Sequence, residues 1–525
     1  MDRTIHLNIS FLAVIIGYLA LPVVVFWCGW FEWWVAVVCL LATVYLFWVT
    51  GYGRIVKGCI LTKNIHKTSN CSGGGIRHQI SYISIAFVWT YLSGIGGFRP
   101  QHFDYYKHNL VLNNLVLFDW PIIYADSHYL CYYNAYYLLP ALLAKAWGGV
   151  AVVHFYMFGW AWLGLTLLFR LLHKIGGWSF VLLFMFFNST ETILLVYEAL
   201  KSPDTIMATL ADLWTNDHTI ELIVTPGGLT YPSHVESLTA VPQHAIAGWL
   251  ATGVVVYQWS AKRLSGDSHE SWVRGGRLLI LAALLLYWSP FVALGLLLVF
   301  GFRTIQQNIS YHQDHCFDNK LYILHLTSYI IVAAPTLLYY AGHVPMNDPQ
   351  GFIINFIQTP HQYLLLATFL VIEAIFWGVL IWLIERKYSI LKQNYDLVIT
   401  AILILFLLPF YHYGHFNDFM RRVSLPASMV LCWGLWQLFI KLQNQKSILR
   451  YTLTACLAVA LILPIKHHLS WFTERPYMGV TNKSITDFSG HTIHYLGQYH
   501  KGEFDVTAQY LGDSSSVYWQ YLRKK

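Results

Sequence analysis

The polar residues best suited to chemistry occur in a loop that follows an apolar segment. Asp104 stands in the stretch Phe98–Asn109, and His102 and His108 lie within about one helical turn of it. A carboxylate placed where a helix meets water can act as a general base for a hydroxyl, or it can hold a divalent cation. We therefore predict Asp104 as a catalytic residue and the two histidines as substrate-positioning residues. The alternative is a solvated loop whose acids cap short helices.

Two further acids occur in the same polar region and could take the same role. Asp119 precedes Trp120 and Pro121, and Asp126 stands a few residues further along. We predict both as candidate catalytic residues beside Asp104. Acids of this kind can bind a divalent metal ion, so such an ion is a possible cofactor whose ligands are unknown. The sequence indicates no other cofactor.

Two consecutive arginines occur in the polar stretch Tyr411–Pro426. Arginine binds phosphate oxygens through a fixed fork of donors, so Arg421 and Arg422 are predicted to bind the phosphate of a lipid-linked donor. Asn417 and Asp418, just before them, are predicted to position the substrate. The alternative is that one arginine pairs with Asp418 as a structural ion pair or reaches lipid headgroups.

Gln243 is the last residue of the long polar stretch Ala199–Gln243, and His244 comes directly after it. Together they open an apolar segment. Loops longer than about 15 residues are often lids or binding loops in compact proteins, which favours a role in acceptor binding. We predict that these two side chains hydrogen-bond a sugar or polarise a leaving group. Helix capping is the alternative for both of them.

The elements that must position these residues are membrane helices. Of the 525 residues, 56% are hydrophobic and only 11% are charged, against about 25% charged in a typical soluble domain. The apolar residues also come in blocks, and a helix that spans a bilayer needs about 20 of them. The clearest blocks are Phe11–Trp30, Val35–Thr50, Leu278–Phe300, Tyr363–Ile384, Val398–Phe410 and Leu453–Pro464. The sequence therefore predicts an all-α polytopic membrane protein.

The basic residues predict which loops face the cytoplasm. They concentrate between apolar blocks, as the positive-inside rule expects, and all these clusters fall on one side if Leu278–Phe300 is a hairpin that turns at Trp288-Ser289-Pro290. Residues 1–465 then form a transmembrane domain with outer loops at 98–128, 201–242, 342–362 and 413–424. Residues 466–525 form a small cap on the outer face. About 12–15 transmembrane helices are predicted, some of them short or broken.

One region does not fit this topology. Strict counting places Arg170, His173 and Lys174 on the outer side, against the positive-inside trend. We adopt a broken helix pair over Ser179–Leu200 that turns at residues 188–190. The alternative is that Tyr129–Ala146 does not fully cross the membrane, which would place the three basic residues inside.

Several functions and sites are not supported by the sequence. The net charge of +7 comes from cytoplasmic loops, so nucleic acid is not implied as a partner. The eight cysteines show no CxxC pair and predict neither a disulfide framework nor a zinc site. The Gly73-Gly-Gly75 run lacks the lysine of a phosphate-binding loop, and no nucleotide-binding motif is present. Energy must therefore come from an activated lipid-linked donor or from a gradient.

The stretch Ile95–Gly176 resembles the GT-C superfamily of polytopic membrane glycosyltransferases. The resemblance consists of an apolar helix, an outer loop that opens with an acid and aromatics, the Trp120-Pro121 pair, and the tyrosine-rich run Tyr129–Pro140. Outside this stretch, the resemblance is limited to the overall architecture. It implies a polyprenyl-phosphate sugar donor, and by position it implies that Asp104 is the catalytic acid of the first outer loop. The family's pair of adjacent acids is absent, because Tyr105 follows Asp104.

These observations together predict a glycosyltransferase that works at the outer face of a plasma (inner) membrane. It would move a sugar from a polyprenyl-phosphate donor to a glycan, lipid or protein acceptor, with membrane lipids as further partners. One alternative is a polymerase or ligase of lipid-linked glycans. The other is a transporter that uses Glu191 or Glu373, two acids within apolar segments. A transporter is expected to show related halves, and the sequence shows no internal repeat.

Overall fold

The structure is a computed structural model that describes most of the chain. The described residues are 9–50, 74–124, 127–188, 228–260, 268–314, 319–345, 348–462, 464–465, 468, 480–481, 491–493 and 507–525. The helices are α1 Ile9–Trp30, α2 Trp33–Val49, α3 Gly74–Leu92, α4 Tyr105–Leu117, α5 Ala135–Ala146, α6 Val153–Phe186, α7 His234–Ala240, α8 Pro242–Ser260, α9 Ser268–Trp288, α10 Pro290–Asp314, α11 Asn319–Tyr340, α12 Pro360–Leu370, α13 Phe376–Tyr388, α14 Tyr395–Leu407, α15 Asp418–Leu442 and α16 Ile448–Ala460. The strands are very short: β1 Gln101–His102, β2 Tyr129–Leu130, β3 Gln350–Phe352, β4 Tyr411–Tyr413, β5 Val480–Thr481 and β6 Leu511–Gly512.

Six stretches of helix among the described residues are long and apolar enough to cross a bilayer. They are Phe11–Trp30, Val153–Phe186, Ile323–Tyr340, Pro360–Tyr388, Lys392–Phe410 and Asp418–Leu442. Shorter apolar helices are Trp33–Val49, Gly275–Trp288, Pro290–Ile305 and Ile448–Ala460. The all-α class predicted from the sequence is confirmed. The predicted number of 12–15 crossings stays a prediction.

The chain divides into two compact units. The first consists of Met1–Ile175, Ile246–Asn347 and Thr481–Lys525, and the second of Gly176–Ala245 and Asp348–Val480. This division differs from the predicted one, which separated only 466–525. The chain leaves the first unit within α6, where Gly177 breaks the helix with a φ of 71° that a residue with a side chain rarely adopts.

In the first unit, α1 runs antiparallel to α6. The Arg170 guanidinium of α6 lies 4.3 Å from the ring centroid of Phe11, near the start of α1. Further along, Tyr18 stacks on Trp160 with ring centroids 4.0 Å apart. The residue numbers rise along α1 as they fall along α6. The start of α1 therefore shares one end of the unit with Arg170.

Helix α3 also runs antiparallel to α6. The Tyr82 hydroxyl makes a hydrogen bond of 2.8 Å with Nδ1 of His173. Beyond the other end of α3, the Phe98 ring lies 5.3 Å from the ring of Phe155. His78, at the start of α3, also lies beside His173, with ring centroids 5.1 Å apart. The starts of α1 and α3 and the basic residues of α6 thus occupy one end of the first unit, which we call the basic end.

The lengths of the helices in this region favour one of the two predicted alternatives, in which Tyr129–Ala146 does not fully cross the membrane. Helix α5 has 12 residues, which gives roughly 18 Å of length, against a hydrocarbon core of about 30 Å. Helix α4, with 13 residues, is also too short. The chain between α3 and α6 therefore stays at the end opposite the basic end, and α6 returns with Arg170. The adopted broken pair over Ser179–Leu200 stays a prediction, because its residues 189–200 lie outside the described part of the chain.

Helices α9 and α10 form the hairpin that the Ser-Pro step predicted. The helices break at Ser289, and Val292 N–H donates to the Ser289 hydroxyl at 3.2 Å. Near the turn, Tyr287 stacks on Phe26 of α1 with ring centroids 3.6 Å apart. Towards the start of α9, Nε of Arg277 donates to the carbonyl of Thr50 at 2.8 Å.

The segment 507–525, here called the C-terminal strap, packs against the end of the first unit opposite the basic end. Strand β6 pairs antiparallel with β2. Cys131 N–H donates to the carbonyl of Tyr510 at 2.8 Å, and Lys524 N–H donates to the carbonyl of Trp30 at 2.9 Å. The strap thus joins the tyrosine-rich segment to the end of α1.

The second unit contains a pair of packed helices and a short two-stranded antiparallel sheet. Helix α12 begins with a capping box between Thr359 and Gln362, with Pro360 in its first turn. It continues through a π-helical turn, Val371–Ile375, into α13. Helices α14 and α15 pack on each other. Strand β3 pairs antiparallel with β4, which precedes α15.

Candidate functional site

Asp104 lies at the N-terminal cap position of α4, in the first unit. Its side chain makes no cap hydrogen bond to the helix. Its Oδ1 instead lies 2.5 Å from Nζ of Lys107, one turn along the helix. Both side chains are mostly buried, with 15% of Asp104 and 20% of Lys107 exposed. The pair is therefore better shielded from solvent than a surface ion pair.

His102 contacts the same acid through the backbone. The Asp104 N–H donates to Nδ1 of His102 at 3.2 Å, and the carboxylate Oδ2 lies 3.4 Å from that nitrogen. Because Nδ1 accepts the amide proton, it carries no proton of its own to donate to the carboxylate. Lys107 is therefore the charged partner of Asp104, and His102 fixes the backbone at the start of the helix.

The charges around Asp104 determine its ionisation. Burial acts to raise the pKa of this carboxyl, but the charge of Lys107, together with the neighbouring side chains of His102 and His108, holds the pKa well below its usual range. Asp104 is therefore ionised at neutral pH, as a general base must be. The ion pair also makes it a weaker base than a free carboxylate, because base strength falls with pKa.

Buried phenols and His108 surround the acid. The Tyr137 hydroxyl lies 2.6 Å from Nδ1 of His108. Burial raises the pKa of Tyr137, so its hydroxyl stays protonated and shares a hydrogen bond with that nitrogen. Tyr105 and Tyr136 are 5% and 2% exposed. Within the described part of the chain, neither of these two hydroxyls has a hydrogen-bond partner.

The polar surroundings extend along α4 and to the strap. Asn109 donates to Gln101 at 2.8 Å, and Gln101 donates to the carbonyl of Gly94 at 3.0 Å. Tyr510 of the strap lies against Tyr132, with ring centroids 4.5 Å apart. The first unit thus presents an ionised carboxylate within buried amides and phenols.

The structure brings together some of the predicted residues of the first unit and separates others. Asp104, His102 and His108 are neighbours, as predicted. Asp119 is exposed beyond the opposite end of α4, so roughly 20 Å of helix lies between it and Asp104. It cannot act together with Asp104 in this structure. Asp126 lies outside the described residues.

In the second unit, the predicted phosphate-binding pair begins α15. Nη2 of Arg422 donates to Oδ1 of Asp418 at 2.8 Å, which is the ion pair that the sequence left open as an alternative. Asn417 adopts a left-handed conformation and caps the helix, accepting from Met420 N–H at 3.4 Å, and its side chain is fully buried. Asn417 therefore has a structural role that the prediction of substrate positioning did not consider.

Gln243 and His244 lie in the first turn of α8 and belong to the second unit. They are 1% and 0% exposed. The Gln243 Oε1 is buried without a hydrogen-bond partner among the described residues, so its amide could accept from a ligand. Neither side chain caps a helix by a hydrogen bond given in the structure.

Sequence reasoning missed several residues of these surroundings. Tyr105, Tyr136 and Tyr137 were not predicted as site residues, and the number of tyrosines in these two short stretches was the available signal. Asp348 was not considered, although the pKa of its carboxyl is raised by burial and by the charge of Asp418. It precedes β3, and nothing in its local sequence marks it.

A metal ion has no preformed site in the described part of the chain. No group of three or more His, Cys, Asp or Glu side chains is placed there to hold one. At Asp104 the position next in sequence is a tyrosine, and Lys107 occupies one carboxylate oxygen. We therefore derive no step that uses a metal.

Comparisons with known proteins were made at the level of families, single chains and folds. No protein-family model matches the chain, and neither a curated protein nor a solved structure matches it.

Proposed function

We propose that the chain is a polytopic membrane glycosyltransferase of GT-C type that uses a polyprenyl-phosphate sugar donor. The observation that carries the proposal is Asp104, an ionised carboxylate beside the buried phenol of Tyr105, whose hydroxyl has no partner among the described residues. The phenol of Tyr136, which interacts with Tyr105, is likewise buried without a partner there. A sugar acceptor is rich in hydroxyls and would satisfy these groups. Asp104 would accept the proton of the attacking hydroxyl, and His102 and His108 would keep it in position.

The position of Asp104 relative to the basic residues supports an outer-face reaction. The segment that carries Asp104 follows the end of α3, opposite the basic end that holds Arg170. If the basic end is cytoplasmic, as the positive-inside rule predicts, Asp104 faces outward. The substrates are then a lipid-linked donor in the outer leaflet and an acceptor at the same face.

A labelling experiment tests this orientation. Asp119→Cys and Gln79→Cys both introduce a thiol at an exposed position of the first unit, one at each end. With an impermeant thiol reagent added to intact cells, Asp119→Cys should label above the wild-type chain and Gln79→Cys should not. Permeabilised cells provide the control, because both variants should then label. The reverse pattern in intact cells would invert the orientation.

The donor phosphate is assigned to Arg421 and Arg422 in the second unit. A guanidinium presents a planar fork that matches phosphate oxygens. In the structure the Arg422 fork is engaged by Asp418 at 2.8 Å. A phosphate bound at Arg422 would therefore share the guanidinium with Asp418, because a guanidinium has five N–H donors.

Binding of a polyprenyl monophosphate tests the substrate class directly. Native mass spectrometry of the purified chain should show an adduct with polyprenyl monophosphate, and a much weaker one with polyprenol of the same length. Polyprenol keeps the apolar tail and lacks the phosphate, so the difference measures recognition of the phosphate. Equal adducts with both lipids would contradict a polyprenyl-phosphate donor.

One observation favours a second candidate function, a transporter. Glu373 is 2% exposed and lies in the π-helical turn Val371–Ile375, within the candidate membrane span Pro360–Tyr388. Ionisable residues at such depth often mark a transport path, and π-helical turns are frequent at functional sites. A transporter of this kind has no need of a polyprenyl phosphate, so the binding experiment separates the two functions.

A further inference from the structure

Two carboxylates face each other at the start of α15. Gln350 of β3 pairs with Tyr413 of β4, and Gly414 N–H donates to the Pro349 carbonyl at 3.1 Å. This pairing brings Asp348, the residue before Pro349, close to Asp418. Burial and the charge of Asp418 raise the pKa of Asp348 above its usual range. The two acids therefore interact electrostatically.

Arg422 compensates the charge of Asp418. It pairs with Asp418 at 2.8 Å, and the Asp418 side chain is 35% exposed. At Gly414 a Cβ atom would lie 3.3 Å from Oδ2 of Asp418, so the backbone passes close to the carboxylate, with a φ of 83° that favours glycine. The ion pair with Arg422 and the close approach of the backbone thus hold the Asp418 side chain in place.

A buried imidazole lies beside the pair. His412 is fully buried, and neither of its ring nitrogens has a hydrogen bond of good geometry among the described residues. The groups that act on it are the Gly414 backbone, His415 and Asp418. A buried polar side chain without a partner costs free energy, about 1–3 kcal/mol. Its position next to Asp418 points to a ligand oxygen that would bind there.

The other titratable groups nearby do not supply or remove a proton at neutral pH. Burial lowers the pKa of His412, so its ring is neutral. Burial, followed by the charges of Asp348 and Asp418, raises the pKa of Tyr413, so its phenol stays protonated. His415 is the remaining imidazole nearby, and its charge acts to lower the pKa of Asp348. The change of ionisation therefore belongs to the two carboxyls.

We propose that binding of a phosphate at Arg422 is coupled to the uptake of a proton by the Asp348–Asp418 pair. The inference rests on the phosphate-binding role given to Arg422 in the proposed function. A phosphate bound at Arg422 brings a second anion to the guanidinium that compensates Asp418, so the negative charge beside Asp348 increases. Two like charges at short range cannot both persist at low cost, so the pair takes one proton from solvent and shares it. His412 N–H can donate to the phosphate.

The coupling makes the affinity for phosphate depend on pH. A ligand whose binding takes up a proton binds more tightly as the pH falls, by at most about tenfold per pH unit for one proton. The dependence should appear above the pH at which Asp348 is already protonated in the free protein. Below that pH no proton is taken up, and the affinity should level off.

Calorimetry in two buffers that differ in ionisation enthalpy measures the proton uptake. The ligand is a water-soluble short-chain prenyl monophosphate, titrated into the full chain in detergent at a fixed pH. Wild type should take up more protons than Asp348→Asn, in which the pair holds only one ionisable group. The phosphate's own ionisation contributes equally to both, so the difference belongs to the pair. Tyr413→Phe, which removes a phenol that does not titrate, should match the wild type.

The outcomes separate this inference from the proposed function. Binding with equal proton uptake in wild type and Asp348→Asn would overturn the coupling and leave the phosphate role intact. No binding by wild type would overturn both. If Asp348→Asn gives no folded protein, Asp418→Asn takes its place, since it also leaves one ionisable group in the pair. Equal binding and uptake with short-chain phosphatidate would support the coupling and identify a membrane headgroup as the source of the phosphate.

Discussion

Replacing Asp104 with asparagine is expected to lower sugar transfer by about 10²–10⁴-fold, the usual contribution of a general base. The amide has nearly the same shape as the carboxylate but cannot accept the proton of the attacking hydroxyl. Yield should fall little, because the amide oxygen of asparagine can still accept a hydrogen bond from Lys107. The rate of transfer from a polyprenyl-phosphate donor, normalised to the amount of folded protein, is the measurement.

Asp119→Asn provides the matched control. It removes an acid from the same loop region, but Asp119 is exposed and lies beyond the other end of α4. Its transfer rate should equal that of wild type. Lys107→Gln adds a readout in pH: it removes the strongest influence that lowers the pKa of Asp104, so the acidic limb of the rate profile should move to higher pH. Wild-type activity in Asp104→Asn would end the proposal of a general base at this residue.

Lysine should replace Arg421 or Arg422 poorly. A charged hydrogen bond of this kind is worth about 1.5–3 kcal/mol, which corresponds to roughly 10- to 150-fold in donor binding or rate. Lysine keeps one positive charge but lacks the planar fork, and alanine, which lacks both, should be worse. The dissociation constant for polyprenyl monophosphate and the extracted yield are measured together for each variant.

The ion pair in the structure supplies the control for the arginines. If Arg422 serves only to hold Asp418, its variants should lose yield, and exchanging the two residues (Asp418→Arg with Arg422→Asp) should restore it. If Arg422 binds phosphate, the exchange should not restore donor binding, because the guanidinium then starts from a different position on the helix. Normal yield with normal binding in both lysine variants would remove the phosphate role.

The sequence predicted the helical class and the hairpin of α9 and α10 because both follow from local rules. Apolar blocks of bilayer length indicate helices, and a Ser-Pro step ends one. The predicted topology left Tyr129–Ala146 open, either as a crossing or as a segment that does not fully cross the membrane. The run is apolar enough to suggest a crossing, but the helix within it has only 12 residues. Where a helix begins and ends depends on tertiary contacts that composition does not encode.

The candidate site was predicted only in part, for a similar reason. His102 and His108 are close to Asp104 in sequence, so helical spacing was enough to group them. Tyr510 reaches the same surroundings from the far end of the chain, through pairing of β6 with β2. Asp348 comes close to Asp418 because two short strands that are far apart in sequence, β3 and β4, pair with each other. Such long-range pairs leave no periodic signal in a single sequence.

The C-terminal strap has a consequence for the order in which the protein is made. The wall of the Asp104 surroundings includes Tyr510, which the ribosome adds hundreds of residues after Tyr132, its stacking partner. During synthesis the acid loop therefore exists without its final neighbour, and β2 presents an unpaired edge until Leu511 arrives. A chain stopped before residue 507 would insert most of its helices and still lack the finished surroundings of Asp104. If the chain is the proposed membrane enzyme, its helices would be inserted before the surroundings of Asp104 are complete.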